Sequence, residues 1–412
     1  MSFYQRVGEV PPKRHTQFRR TDEGGKPGEL YYEEMVGEEG FSSNSSLLYH
    51  RGVPSSLVDA STWELPDLTT TDNHPVLGRL LKPHALWEEN AWRETDPVTG
   101  RTLLLGNDDV RLNYVVAGAQ SPYYRNSVGD EICYLEAGSA TVETVFGVLQ
   151  ARAGDYVILP RGTTHRWLPT GDEPLRILAI EANSHVAPPS RYVSRYGQFL
   201  ENAPYCERDL HGPTEPLLVE GSDVEVLVKH RGNAPGGIVG SKLTYETHPF
   251  DVVGWDGGLY PLTFNIEDFE PITGRIVEPP PTHQVFEGDG FVVCNFVPRN
   301  AAYREDAVPL PYYHTNVDSD EVMFYVGGDY TARSGSGVDL GSITLHPGAY
   351  AHGPHPGSIE KSLGMSRLEE TAVMVDTFRP LGLGVGGRAS EDPAYAWTWS
   401  GRGPGMKDGK QQ

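Results

Sequence analysis

Apolar and polar residues alternate in short runs, bounded by Gly, Pro and Asp, over most of the chain beyond residue 113. The clearest runs cover 113–116, 131–135, 140–145, 155–159, 175–180, 291–297, 321–326 and 372–378. Runs of this length, punctuated in this way, predict the strands of a β-sandwich or barrel. Residues 1–113 are polar, rich in Gly, Glu and Arg, and show little alternation, which predicts an extended N-terminal arm with a few strands packing on a neighbouring subunit. The stretch 185–216 is irregular, with Pro188, Pro189 and Pro204, and reads as a crossover. After Pro380 the chain is Gly-rich and polar, so a surface tail is expected. The division that follows is an arm over 1–113, a first β-domain over 114–216, a second over 217–380 and a tail over 381–412.

Composition supports this reading. The chain has 412 residues, enough for two domains of ordinary size. Its 47 Gly and 33 Pro make up about a fifth of the chain, against roughly an eighth in average usage, so turns are frequent and long helices few. A net charge of −22 argues against a nucleic-acid or membrane partner, since both attract basic surfaces. No apolar run approaches the ~20 residues that span a bilayer, and the N-terminus has no signal-peptide core. A cytoplasmic protein is expected. Cys133, Cys206 and Cys294 are too few for a disulfide framework and are expected to be reduced.

One short pattern occurs twice. Gly154, Pro160 and His165 recur as Gly341, Pro347 and His352, each 187 positions later. Upstream, Tyr124, Asn126, Glu131 and Gly138 stand in the register of His314, Asn316, Glu321 and Gly328, each 190 positions later. Duplication of one β-domain explains both offsets. The copies differ in chemistry, because the second offers His314, Glu321 and His352. Two histidines and one carboxylate hold ferrous iron on one face and leave the opposite positions for substrate and O₂. In the first copy Tyr124 and Asn126 replace both histidines of the pattern, so that domain is expected to hold no metal and His165 to be structural. Gly382, Gly384 and Gly387 match a dinucleotide-binding spacing, but no buried strand leads into them.

The spacing His314-(one)-Asn316-(four)-Glu321-(six)-Gly328, followed by Gly341-(five)-Pro347-(four)-His352, resembles the two motifs of the cupin superfamily. Asn316 stands where the second histidine of the first motif is usual. The resemblance implies a mainly β bicupin, two tandem jelly-roll barrels. Four stretches are similar to the homogentisate 1,2-dioxygenase family: Asn126-Ser127-Val128-Gly129-Asp130, His248-Pro249-Phe250-Asp251-Val252-Val253-Gly254-Trp255, Pro311-Tyr312-Tyr313-His314, and Leu345-His346 with His352-Gly353-Pro354.

That resemblance implies an Fe(II) enzyme that opens the ring of homogentisate with both atoms of O₂. The product would be maleylacetoacetate, in tyrosine and phenylalanine breakdown, and the assembly a homo-oligomer, a trimer or a hexamer built from trimers. It implies His314, Glu321 and His352 as iron ligands, and His346 as a further active-site histidine. Tyr330 and Arg333 fall at the places of a tyrosine and a lysine that line the family's pocket, with Tyr312 beside them as a substrate contact. A guanidinium at 333 suits the substrate's carboxylate. The family's acid/base histidine has no clean counterpart, and His283 is the nearest candidate. A zinc or manganese isomerase or hydrolase, a paralogue acting on another hydroquinone or catechol, and a non-catalytic binding bicupin use the same framework.

Overall fold

A computed structural model describes residues 3–21, 27–87, 91–234, 236–274, 280–400 and 402–403. Each alternating run forms a strand. A seven-stranded sheet takes the order Gly147–Arg152, Ser139–Thr144, Thr164–Thr170, Tyr123–Asn126, Val224–Arg231, Ile238–Tyr245, Leu57–Trp63. A second seven-stranded sheet runs Leu262–Asn265, Asp155–Leu159, Glu131–Ala137, Leu175–Ala182, Val110–Ala117, Thr102–Gly106, Gly382–Leu383. A six-stranded sheet runs Gln284–Gly288, Phe291–Phe296, Thr371–Thr377, Asp320–Gly327, Ile343–His346, Arg79–Leu81. The architecture is the duplicated, mainly β arrangement that the alternation and the repeat predict, and it fits the bicupin that the resemblance implies. No described helix is long and apolar enough to cross a membrane.

Strand period explains how one sequence serves two packing jobs. In Glu131–Ala137, Ile132 and Tyr134 face one core while Cys133 and Leu135 face another. In Asp320–Gly327, Val322 and Phe324 face that same first core, and Met323 and Tyr325 turn the other way. Successive side chains point to opposite faces of a strand. The two barrels therefore pack sheet against sheet through one shared apolar layer, in which Phe324 meets Tyr114 and Tyr134 edge-on with ring centroids 6.1 Å apart in both cases. The opposite faces line each barrel's interior, and Glu131 and Glu321, in step with the inward residues, are carried inside.

The repeated glycines have a steric reason. Gly138, Gly154, Gly328 and Gly341 all adopt positive φ, between 78° and 89°, a region that residues with a Cβ rarely visit. At Gly328 an added Cβ would lie 1.7 Å from the Glu369 carbonyl oxygen.

Three parts of the chain sit differently from the sequence expectation. The described residues between 3 and 113 are woven into the body rather than forming an arm. Leu57–Trp63, Thr102–Gly106 and Arg79–Leu81 each complete a different large sheet, and Gln5–Gly8, Tyr32–Gly37 and Ser45–His50 form a small sheet with Val252–Gly257. Leu57–Trp63, Arg79–Leu81, Gln5–Gly8 and Tyr32–Gly37 are edge strands, while Thr102–Gly106 and Ser45–His50 lie inside their sheets and are buried along nearly their whole length, so neither kind shows a clean alternation. Val224–Arg231, Ile238–Tyr245 and Leu262–Asn265 lie beyond residue 217 yet complete the sheets of the first barrel. Their partners are set by long-range pairing, which periodicity does not report. Of the expected tail, Gly382–Leu383 pairs with Thr102–Gly106, and Gly384 to Gly387 lie against Leu103 and Leu104 where a Cβ would collide. The glycine spacing there serves close packing; residues 404–412 lie outside the described residues.

Phe324 is fully buried in the layer between barrels. Phe324→Ala should lower stability by about 3–5 kcal/mol, the usual cost of an aromatic-sized cavity. Urea unfolding of the metal-free protein checks this; a loss under about 1 kcal/mol would mean that the barrels do not depend on this layer.

Candidate metal centre

Glu321 enters the second barrel from the strand Asp320–Gly327 and faces His346 directly across the antiparallel pair with Ile343–His346. His314 and His352 lie on loops, but each donates its backbone N–H to the other's carbonyl, at 2.8 and 2.9 Å. The turn between Pro347 and His352 is tied down as well. Its Gly348 N–H donates to Asp320 Oδ1 at 2.7 Å, and its Ala349 N–H donates to the Asn316 carbonyl at 2.7 Å. These ties bring ligand atoms of His314, Glu321 and His352 within 4.8 Å of one another.

The arrangement fits a cation. His352 Nδ1 donates to the Tyr350 carbonyl at 2.9 Å. A neutral imidazole has one N–H, so Nε2 presents a lone pair, and it lies buried, 3.3 Å from Glu321 Oε1. Two acceptors facing each other at that distance repel unless a positive charge lies between them. His314 Nε2 stands 3.4 Å from the other carboxylate oxygen. His314, Glu321 and His352 are therefore the residues that could hold a divalent metal in an open site.

The other candidate residues are placed unequally. His346 is completely buried and has both ring nitrogens engaged: Nδ1 with Glu321 Oε1 at 3.1 Å and Nε2 with the Tyr395 hydroxyl at 2.9 Å. It has no free lone pair for general-base work. His355 faces away from the cluster, with Nε2 on Thr398 Oγ1 at 2.9 Å and its ring 4.3 Å from that of Trp399. Tyr312 is half exposed and stands edge-on to His314, with ring centroids 5.9 Å apart. Arg333 Nε donates to the Tyr325 hydroxyl at 2.9 Å and Nη1 to the Gly353 carbonyl at 2.8 Å. Tyr330 packs against Tyr325, at 5.0 Å between rings.

His283 is not brought to this cluster. It is buried and stacks on Phe296, at 4.5 Å and 23°. Phe296 pairs through Ala372 to the level of Tyr325, four residues from Glu321, or about 13 Å at the usual strand rise. Burial first, then Arg299, pulls the His283 imidazole down to about 3. A proline-rich run fixed its place in the sequence but said nothing of what its ring would pack on.

Sequence reasoning passed over Tyr395, Thr398 and Trp399, which reach the metal centre from the C-terminal segment. Their signal was present, since Tyr395-Ala396-Trp397-Thr398-Trp399 is a dense aromatic cluster in an otherwise Gly-rich stretch. Asp376 was missed too. It lies directly across from Glu321, and burial followed by the Glu321 charge pushes its carboxyl up to about 8.

The first barrel repeats this geometry with different chemistry. His165 pairs with Tyr124, and its Nδ1 meets the carbonyl two residues earlier, Thr163, at 3.0 Å, as His352 does with Tyr350. Glu131 accepts from the Tyr124 hydroxyl at 3.0 Å, from Asn126 Nδ2 at 2.8 Å and from Arg101 Nη1 at 2.9 Å. The same guanidinium nitrogen reaches Glu181 at 2.8 Å, and Lys229 completes the cluster on Glu181. Side-chain cations stand here where the second barrel has a place for a metal.

Burial alone would raise the Glu181 carboxyl, but Lys229 and then Arg101 hold it well below its usual range. Its contribution to stability is therefore full above about pH 4.3, the unfolded value, and is lost as pH falls towards the folded one. Arg101→Met should lower stability at pH 7 by about 3–5 kcal/mol, because it strands buried carboxylates. It should also flatten the acid limb of stability between pH 5 and 3 to roughly that of a chain without the ion pair. Urea unfolding across that range checks both; an unchanged acid limb would show that the cluster is not the acid-sensitive element.

With the geometry established, comparison with known proteins becomes informative. The family model for a cupin domain matches residues 112–181, and that for the homogentisate 1,2-dioxygenase C-terminal region matches residues 277–401. Over 404 residues the chain is 35% identical to a protein of Saccharolobus solfataricus whose description as a dioxygenase is provisional, covering 97% of this chain and 99% of that one. It is 27% identical over 249 residues to the homogentisate 1,2-dioxygenase of Bradyrhizobium diazoefficiens, covering 58% of this chain. It is 26% identical over 241 residues to that of Emericella nidulans, covering 56%. These matches span about half of either enzyme, 52% and 51%. An oxalate decarboxylase of Bacillus subtilis, 13% identical with a TM-score of 0.28, covers 66% of this chain and 69% of its own, a likeness too distant to bear on function. A near end-to-end relative and a C-terminal half matched to the dioxygenases agree with the metal-ready second barrel: the chain belongs to the homogentisate 1,2-dioxygenase family of the cupin superfamily.

Proposed function

We propose that the protein is an iron(II)-dependent ring-cleaving dioxygenase that opens homogentisate with O₂ to maleylacetoacetate, in tyrosine and phenylalanine breakdown. The observation that carries this reading is the buried Glu321 with ring nitrogens of His314 and His352 facing it, on the barrel that resembles the dioxygenases. Ferrous iron held by this set supplies redox chemistry with O₂ and open positions for the substrate's hydroxyl oxygen. The protein's own residues do the rest. Tyr312, half exposed and edge-on to His314, offers an aromatic wall for the ring at the mouth of the site. Arg333 has two of its nitrogens committed to Tyr325 and Gly353, and its Nη2 makes no hydrogen bond among the described residues. That nitrogen is the donor we assign to the substrate's carboxylate, with Tyr330 beside it. His346, with both nitrogens engaged, orients Glu321 rather than moving a substrate proton. His283 stacks on Phe296 and makes no hydrogen bond to the ligand set among the described residues, so no proton step is assigned to it.

A second reading is an oxygenase for another hydroquinone or catechol. It is favoured by the near full-length relative, whose description names no substrate. Oxygen uptake by the iron-loaded protein, with homogentisate and with hydroquinone itself, distinguishes them. Preference for the ring without its acetate arm would overturn the homogentisate assignment.

Anaerobic reconstitution should load about one iron per chain, since among the described residues the second barrel alone offers a free ligand set. His314→Ala, Glu321→Ala and His352→Ala should each abolish iron binding and activity, whereas His165→Ala should keep full iron. Metal analysis of the folded variants checks this, and iron retained in any of the first three would remove that residue from the ligand set.

Arg333→Leu should cost about 1.5–3 kcal/mol in kcat/KM for homogentisate, roughly ten- to a hundredfold. The loss should be much smaller for a ring analogue without the carboxylate, and Arg333→Lys should recover part of it. Equal losses with both substrates would mean that Arg333 acts through its bonds to Tyr325 and Gly353.

A further inference from the structure

We propose that Tyr395 is a positioning residue for the metal centre, because its hydroxyl donates to His346 Nε2 and so commits the single His346 proton to Nδ1, aimed at Glu321. The inference deepens the metal-centre reading and rests on it.

The argument is one of donors and acceptors. An ionised carboxylate only accepts, so the 3.1 Å contact between His346 Nδ1 and Glu321 Oε1 needs the proton on Nδ1. A neutral imidazole then has a bare lone pair on Nε2. His346 is fully buried, so no bulk water reaches that lone pair. The Tyr395 hydroxyl, 2.9 Å away and itself 1% exposed, is the group that meets it. In the opposite tautomer, Nδ1 would turn a lone pair on the carboxylate at hydrogen-bond distance. Tyr395 thus selects the tautomer that steadies Glu321, as second-layer partners do for metal ligands.

The packing makes Tyr395 suited to this role. His346 stacks on His352 at 4.2 Å and 16°, so the ring that Tyr395 holds also braces a second candidate ligand. Tyr395 is fixed in turn, since Asp392 N–H donates to the Leu80 carbonyl at 2.7 Å and the Trp399 ring stands edge-on to Tyr395 at 5.2 Å. Two residues of the same segment, Thr398 and Trp399, hold His355 beside it. A segment far from the cupin motifs in sequence therefore completes the polar layer behind the ligands.

The test is a metal titration of the metal-free protein with Zn²⁺ against a competing chelator, read without any activity. Tyr395→Phe keeps the ring and deletes the donor; it should weaken metal binding about 10- to 100-fold with little change in the unfolding temperature of the metal-free form. His346→Asn keeps a donor near Glu321 but has no Nε2. In that background Tyr395→Phe should cause no further loss, the non-additivity expected of residues acting through one another. Wild-type affinity in Tyr395→Phe, or additive losses in the double variant, would overturn the proposal. Nitrogen NMR of the His346 ring in metal-free wild-type protein gives a separate decision: a protonated Nδ1 with a bare Nε2 is expected, and the reverse sinks the idea even if the variants fail to fold. If wild-type protein takes up no metal at all, the metal-centre reading fails, while the ring NMR still decides the role of Tyr395.

Discussion

A carboxylate buried inside a barrel must be met by hydrogen-bond donors, by a cation or by both, because the low-dielectric interior does not tolerate it alone. Glu321 is that carboxylate here. Nδ1 of His346 answers one oxygen, the Asn316 amide stands 3.5 Å from the other, and ring nitrogens of His314 and His352 crowd the remaining side. One of those nitrogens, His352 Nε2, brings a lone pair rather than a proton, and a cation would satisfy it and the carboxylate together. Loop pairing between His314 and His352, the anchoring of the Pro347 turn by Asp320, and the C-terminal segment behind His346 all serve to hold this incomplete shell in place.

The same barrel solves the same problem a second time without a metal. Glu131 occupies the position of Glu321, and beside the amide that the repeated asparagine brings in both barrels it is met by a phenol and a guanidinium where the second barrel has histidines. Arg101 is planar, permanently charged and able to bridge two carboxylates, which lets it stand in for a divalent ion as a source of positive charge. It offers no open coordination position and no redox chemistry. One duplication has thus given a barrel that is complete in itself and a barrel that is not, joined back to back through a shared apolar layer.

That layer links stability to the site. Because strands alternate, every residue that packs between the barrels is flanked by one that faces a barrel interior, as Val322 and Phe324 flank Met323 beside Glu321. The register that seals the interface also sets the depth of the carboxylate. A slip by one residue would bury the wrong set on both faces at once, so the interface acts as a constraint on the metal centre without touching it.

Local information in the chain was enough for the parts that depend on short-range spacing. Period-two alternation marked the central strands, positive-φ turns explained the recurring glycines, and the repeat separated His352 from His355, which turns to Thr398 instead. The chemistry of two histidines and a carboxylate was legible for the same reason. What the sequence left open depends on long-range pairing. Nothing local told that residues 57–63, 224–231 and 238–245 complete the first barrel, that His283 stacks on Phe296, or that Arg101 lies on Glu131. Tyr395 belongs to the same class, 49 residues from the histidine it holds. Side-chain spacing along a strand is a property of the backbone, whereas the partner across a barrel is chosen by the packing of the whole chain, and only the folded structure makes that choice.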